Sequence, residues 1–123
     1  MNSAARTARA ILRERTRDQR ATHQAARSLA TGTPQPVSTH LIARGLERHL
    51  AHRYAGALSR KIGAADAMGT TRIKLRRNSR KTATFDVKLF TSARFVPAAI
   101  IYRPAKNKAA AARFAKLAFA LAA

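Results

Sequence analysis

"RIKLRRNSRKTATFDVKLF", residues 72–90, alternates apolar and polar side chains along most of its length. Ile73, Leu75, Ala83, Phe85, Val87 and Leu89 take odd positions, whereas Arg72, Lys74, Arg76, Thr82, Thr84, Asp86 and Lys88 take even ones. A period of two predicts an antiparallel hairpin with its apolar face on the core and its polar face in water. Residues directly opposite one another must share a face. A two-residue turn at Asn78-Ser79 is thereby excluded, because it would set Leu75 against Thr82. A loop of residues 78–80 or 77–81 instead pairs Leu75 with Ala83 and Ile73 with Phe85. It also sets Arg72 against Asp86, a favourable cross-strand pair.

Six cations lie between Arg72 and Lys81: Arg72, Lys74, Arg76, Arg77, Arg80 and Lys81. On the wet face and tip of a hairpin, beside Asn78 and Ser79, they repel one another unless phosphates lie among them. A two-stranded ribbon of this width enters a major groove or lies along a nucleic-acid backbone. The competing expectation is an edge hairpin whose charges only prevent aggregation.

The rest of the chain extends the same theme. Its 123 residues carry 25 Lys and Arg against five acids, for a net charge of +20. Such a surplus calls for a polyanion, and nucleic acid fits best. Alanine accounts for 29 residues, so few large apolar side chains remain for a core. A core that thin leaves stability dependent on a bound partner or on self-association, which makes a homo-oligomer or membership of a larger assembly an expectation. The absence of cysteine excludes disulfides and thiolate metal sites. No apolar run approaches the ~20 residues of a membrane span. Residues 1–30 share the Arg, Ser and Ala bias of an organelle transit peptide, but Glu14 and Asp18 argue against one. The expected location is intracellular or within a nucleoprotein particle, the compartment being left open.

Residues 1–30 are expected to form a basic helical arm, capped by Ser3 and ended near Thr31-Gly32. Arg6, Arg13, Arg20 and Arg27 recur every seven positions on one stripe, with Ala4, Ala8, Ile11, Ala26 and Leu29 opposite. The stripe is ~32 Å long at 1.5 Å per residue, close to one duplex turn of ~34 Å. The two prolines of residues 31–37 predict a linker. A domain of order α-β-β-β-α is expected over 38–123, so the whole chain is α+β. It would have two N-terminal helices, a three-stranded antiparallel sheet with a basic hairpin, and a C-terminal helix.

Within that domain, Ile42, Leu46, Leu50, Tyr54 and Leu58 mark the buried side of a helix running to about Ile62. Arg44 and Arg48 face away as weaker candidates for phosphate contact. Gly45 and Gly56 allow close packing or a bend. His40, His49 and His52 are expected to face solvent or phosphate rather than a metal. "ARFVPAAIIYRP", residues 93–104, predicts a third strand centred on Ala98–Tyr102, at an edge because Pro97 cannot donate to a ladder. A closing helix from Pro104 or Ala105 buries Ala110, Phe114, Leu117 and Leu121 and leaves Phe119 to a flank.

Two stretches resemble known modules. "LSRKIGAADAMGTTRI", residues 58–73, resembles a helix-turn-helix in placing Ser59 four before a turn glycine, Gly63. Gly69 stands where that motif wants a branched apolar residue. "ATFDVKLF" at 83–90 with "AKNKAAAARFAKLA" at 105–118 is similar to the double-stranded-RNA-binding domain, although Arg103-Pro104 replaces its lysine pair. That resemblance implies phosphate contacts from Lys106 and Lys108.

Catalysis is not expected: the five acids are scattered, and neither a nucleophile elbow nor a glycine-rich phosphate loop occurs. No cofactor or metal is called for. Aromatic stacking is not expected to be a main element, since Phe85 and Phe95 are expected to be structural and only Tyr102 is left as a candidate stacker. The function expected is phosphate-backbone binding with low sequence specificity, in a packaging, architectural or ribonucleoprotein role. Two rivals stand beside it. One is a sequence-specific DNA-binding regulator using a helix-turn-helix or β-ribbon, and the other is a structural subunit of a virion or other large assembly.

Overall fold

A computed structural model of the chain describes residues 3–75 and 80–122. Its elements run α1 (Ser3–Ala30), β1 (Gln35–Pro36), α2 (Val37–Ala43), α3 (Arg48–Ile62), β2 (Ala67–Lys74), β3 (Thr82–Phe90), α4 (Ser92–Ile101) and α5 (Lys108–Ala122). The sheet is antiparallel, in the order β1-β3-β2. The α+β class, with helices before and after an antiparallel sheet, is as the sequence implied. Arg76, Arg77, Asn78 and Ser79 lie outside the described residues, so the expected hairpin tip does too.

Helix ends are set by local chemistry. Glycines with positive φ stop three of them: Gly32 after α1, Gly45 after α2 and Gly63 after α3. At Gly45 the Leu46 N–H reaches the Leu41 carbonyl (3.2 Å) and the Gly45 N–H reaches the Ile42 carbonyl (3.0 Å). This is a Schellman closure, and Leu46 tucks into the core to complete it. The single helix expected over 38–62 is therefore two helices joined by residues 44–47. Asn107 starts α5, its side chain accepting from the Ala110 N–H at 3.1 Å. The helix thus begins at Lys108, later than Pro104 or Ala105.

The third strand is corrected. Residues 98–102 are helical or follow a helix, and the strand that pairs with β3 is Gln35–Pro36, inside the expected linker. Proline is tolerated at this edge because its missing N–H breaks no ladder. Burial overrides β propensity in α4, since Phe95 and Ala99 lie one turn apart and both are fully buried. Asp66 fixes where α4 begins: its carboxylate accepts from the Thr91 N–H at 3.0 Å and lies 3.6 Å from the Arg94 guanidinium. With a helix where the double-stranded-RNA-binding order needs a strand, that resemblance is not carried into the fold.

The core gathers Leu41, Leu58, Phe90, Phe95 and Phe114 with His40 as its largest fully buried side chains. His40 is corrected from solvent-facing to buried. Its ring stacks on Phe95 at 4.7 Å, and its Nε2–H donates to the Phe90 carbonyl at 2.6 Å, joining α2 to β3 and α4. Its Nδ1 is buried with no hydrogen-bond partner among the described residues. Burial, and then the nearby Arg44 cation, hold this imidazole below its ordinary value of 6.5.

α1 packs on α2 through its second half, where Ala25 is buried and Ala21 and Leu29 are half-buried. The docked stripe runs through Asp18, Ala21, Ala25 and Ser28 rather than through Ile11 and Ala26, which stay exposed. Arg48 decides this choice by binding Asp18 at 2.9 Å and Glu14 at 2.5 Å.

Candidate nucleic-acid interface

β2 and β3 pair along their whole length, from Ala67↔Leu89 to Lys74↔Thr82, and the Leu75 N–H extends the ladder to the Lys81 carbonyl at 3.2 Å. Ile73 faces Ala83, Arg72 faces Thr84 and Asp86 faces Thr70, two residues away from the expected register. The Arg72–Asp86 pair is not made. The register is set at the base, where the Asp66 N–H bonds the Leu89 carbonyl and Leu89 lies over Gly69, 3.2 Å from where a Cβ would stand. A shift of two residues preserves parity, so the sets of residues sharing a face are as expected.

Which face meets the body is not as expected. None of Ile73, Leu75, Ala83, Phe85, Val87 and Leu89 belongs to the core or packs on it. The sheet's contribution to the core is Phe90, from the even-numbered face. Phe85 is thus not a core residue, whereas Phe95 is. Strand alternation identifies two faces but does not say which one the helices cover.

The even face shares a side with α3. Lys88 Nζ donates to the Gly63 carbonyl at 3.3 Å. A cleft of about 300 Å³ is lined by Gly56, Ser59 and Arg60 of α3 and by Asp86, Val87 and Lys88 of β3. Farther along the same face stand Arg72 and Lys74, both exposed and without an ion pair among the described residues. On α3, His49, His52, Arg53, Gly56 and Arg60 are all exposed, at spacings that form one helix face. Arg53 lies over the Tyr54 ring at 5.5 Å.

α2 and α3 are successive helices joined by the short turn of residues 44–47, which contains Gly45. This turn precedes the stretch, residues 58–73, that resembles a helix-turn-helix in the sequence. Residues 64–66 lead into β2, which takes up 67–71, so no second helix follows Gly63 there. Gly45, one of the two glycines read in the sequence as allowing a bend, marks the turn, and Leu46 closes it.

The other predicted cations divide. Arg80 is exposed and carries no ion pair among the described residues, whereas Lys81 stands opposite Leu75 on the apolar face. Arg13, Arg20 and Arg27 are exposed along α1, as is Arg6. The α1 set and the ribbon set sit on different elements, and α1 packs on α2 rather than on the ribbon. Arg44 and Arg48 are used internally. Arg44 lies over Phe95 at 5.0 Å and donates to the His40 carbonyl at 3.1 Å; Arg48 is held by Glu14 and Asp18. Tyr102 packs edge-on against Phe114 at 5.1 Å and is half-buried, so it is core rather than a base-stacker.

The acids explain the pattern of free cations. Glu14 and Asp18 bind Arg48, Asp66 binds Arg94, and Glu47 binds Arg113 at 2.5 Å. Asp86 alone makes no ion pair among the described residues. No helix is long and apolar enough to cross a membrane among the described residues, and none of their His and acidic residues cluster as a metal site would need. No family model, curated protein or solved structure matches this chain.

Proposed function

We propose that this protein binds duplex nucleic acid, DNA in the first instance, through the side of the molecule shared by α3 and the even face of the β2–β3 ribbon. One observation carries this reading. Arg72 and Lys74 are exposed on the even face of the ribbon, whose Asp86 and Lys88 share a cleft with the exposed Arg60 of α3, while four of the five acids are bound elsewhere in the body. In a helix-turn-helix the second helix enters the major groove with its first turns on base edges. α3 has the exposed Arg and His side chains such a helix uses, and Gly56 lets its backbone approach closely. The ribbon cations then meet adjacent phosphates, and Arg13, Arg20 and Arg27 supply further backbone contacts from α1.

Most of the affinity comes from phosphates, which keeps sequence specificity low. An architectural, packaging or ribonucleoprotein role fits that balance. A specific regulator is the second reading, favoured only by the exposed α3 residues. A virion or assembly subunit would form particles without any nucleic acid.

The test is a salt titration of duplex binding by nuclease-treated protein, read by fluorescence anisotropy. Each phosphate contact contributes a log–log slope of about −0.9. R72Q/K74Q/R80Q should flatten the slope by about 2.7 for all sequences alike. H52A/R53A should instead reduce the ratio of preferred to random sequence, if α3 reads bases. Failure to bind duplexes or single strands at low salt overturns the proposal.

A further inference from the structure

Over most of its length the apolar face of the ribbon has no partner among the described residues. Ile73, Leu75 and Phe85 are 51%, 57% and 47% exposed, on a hairpin whose strands span eight and nine residues. A two-stranded hairpin wet on both faces is marginal in water, and a third strand or packing against an apolar surface is what stabilises it. β1 supplies a third strand only at the base, opposite Leu89 and Phe90. Everything beyond is unsupported.

We infer that this face is the contact between two copies of the chain, stacked ribbon on ribbon. Charge selects the occupant. From Ala67 to Leu75 and from Ala83 to Leu89 the odd-numbered residues carry no charge, and Lys81 is the cation at the far end. A polyanion or an acidic partner has its counter-charge on the opposite face, at Arg72 and Lys74, so an apolar surface is what fits here. A second copy offers one of the same length, width and periodicity, and a two-fold axis matches a patch to itself.

Stacked sheets lie about 10 Å apart, with alternation directing Arg72 and Lys74 outward on both sides. Between the copies no cation then stands from Ala67 to Leu75 or from Ala83 to Leu89 on either inner face, which limits the repulsion between two molecules of charge +20. A dimer of this kind presents two basic faces pointing apart and can hold two duplex segments at once. Dimerisation itself needs no nucleic acid, so it stands or falls separately from the proposed function.

The chain contains no cysteine, so a single introduced cysteine reports only contacts between copies. Thr70 and Thr71 are adjacent, exposed and on opposite faces. Nuclease-treated T71C should cross-link with a short bismaleimide, and T70C should not. Sedimentation equilibrium should show a dimer that strengthens from 0.1 M to 1 M salt as the screening length falls from about 10 Å to about 3 Å. I73T/F85T should weaken it by at least about tenfold with an unchanged far-UV circular dichroism spectrum, since threonine suits strands. A monomer at both salt concentrations overturns the inference, as does equal cross-linking of T70C and T71C. A dimer indifferent to I73T/F85T also overturns it, placing the contact elsewhere, for instance near Phe119. Protection of T71C by DNA alone would assign the face to nucleic acid and overturn it equally.

Discussion

The helical body and the ribbon solve opposite problems with the same residue types. In the body, Phe95 is fully buried against His40 and Arg44 lies over its ring, so an aromatic and a cation are both used for cohesion. In the ribbon, Phe85 and Arg72 are exposed on opposite faces, and neither makes an ion pair or a core contact among the described residues. The difference follows from acids and helices. The body has four carboxylates and several apolar helix faces to satisfy its side chains, whereas the ribbon has Asp86 and a two-residue strand at its base.

The largest expected effect tests that contrast directly. Phe95→Ala should cost about 3–5 kcal/mol in urea unfolding, because it removes the stacking partner of His40 and leaves a cavity at the junction of α2, β3 and α4. Phe85→Ala should cost about 1 kcal/mol or less in dilute protein, its ring being half in water already. Comparable losses would erase the distinction between body and ribbon.

Acid should weaken the body next. His40 titrates in the folded state below its unfolded value of 6.5, so between the two the unfolded chain binds the extra proton. Its contribution is fully present above about pH 6.5 and declines as the pH falls toward the folded value. Thermal melts from pH 7.5 downward should show the decline beginning near pH 6.5, and H40Q should flatten that part of the profile.

A smaller effect concerns the joint between α1 and the body. Arg48→Ala should cost only about 1 kcal/mol of global stability, since these ion pairs are partly in water. It should raise hydrogen exchange along the first half of α1 while leaving the ribbon amides unchanged. Smallest is Asp86→Asn. Removing the acid of the cationic face should tighten duplex binding by about twofold at low salt, an advantage that disappears as salt screens it. A loss of affinity would mean that Asp86 positions a neighbour rather than repelling phosphate.

The sequence carries the parity of the hairpin plainly, because a period of two survives any even shift in register. It does not carry the register itself. That is fixed by Asp66, Gly69 and Leu89 at the base, residues whose proximity only the fold creates. The buried stripe of α5 is legible for a similar reason, with Ala110, Phe114 and Leu117 all in the core. Propensity misleads in α4, where the Ile100-Ile101 pair suggests a strand but the burial of Phe95 and Ala99 cannot be seen locally; the anchoring of Thr91 by Asp66 spans 25 residues. Among the candidate site residues, Arg72, Lys74 and Arg80 stay on the surface. Arg44 and Arg48 could not be separated from them by pattern, since a cation's partner is a matter of tertiary distance.

The pairing of Glu14, Asp18, Glu47 and Asp66 with cations of the body has a consequence for traffic in a crowded solution. Under the proposed function, with four of its five acids paired to cations, the molecule would meet every polyanion on similar terms. Its occupancy is then governed by the size of the competing pool and by how fast one strand displaces another.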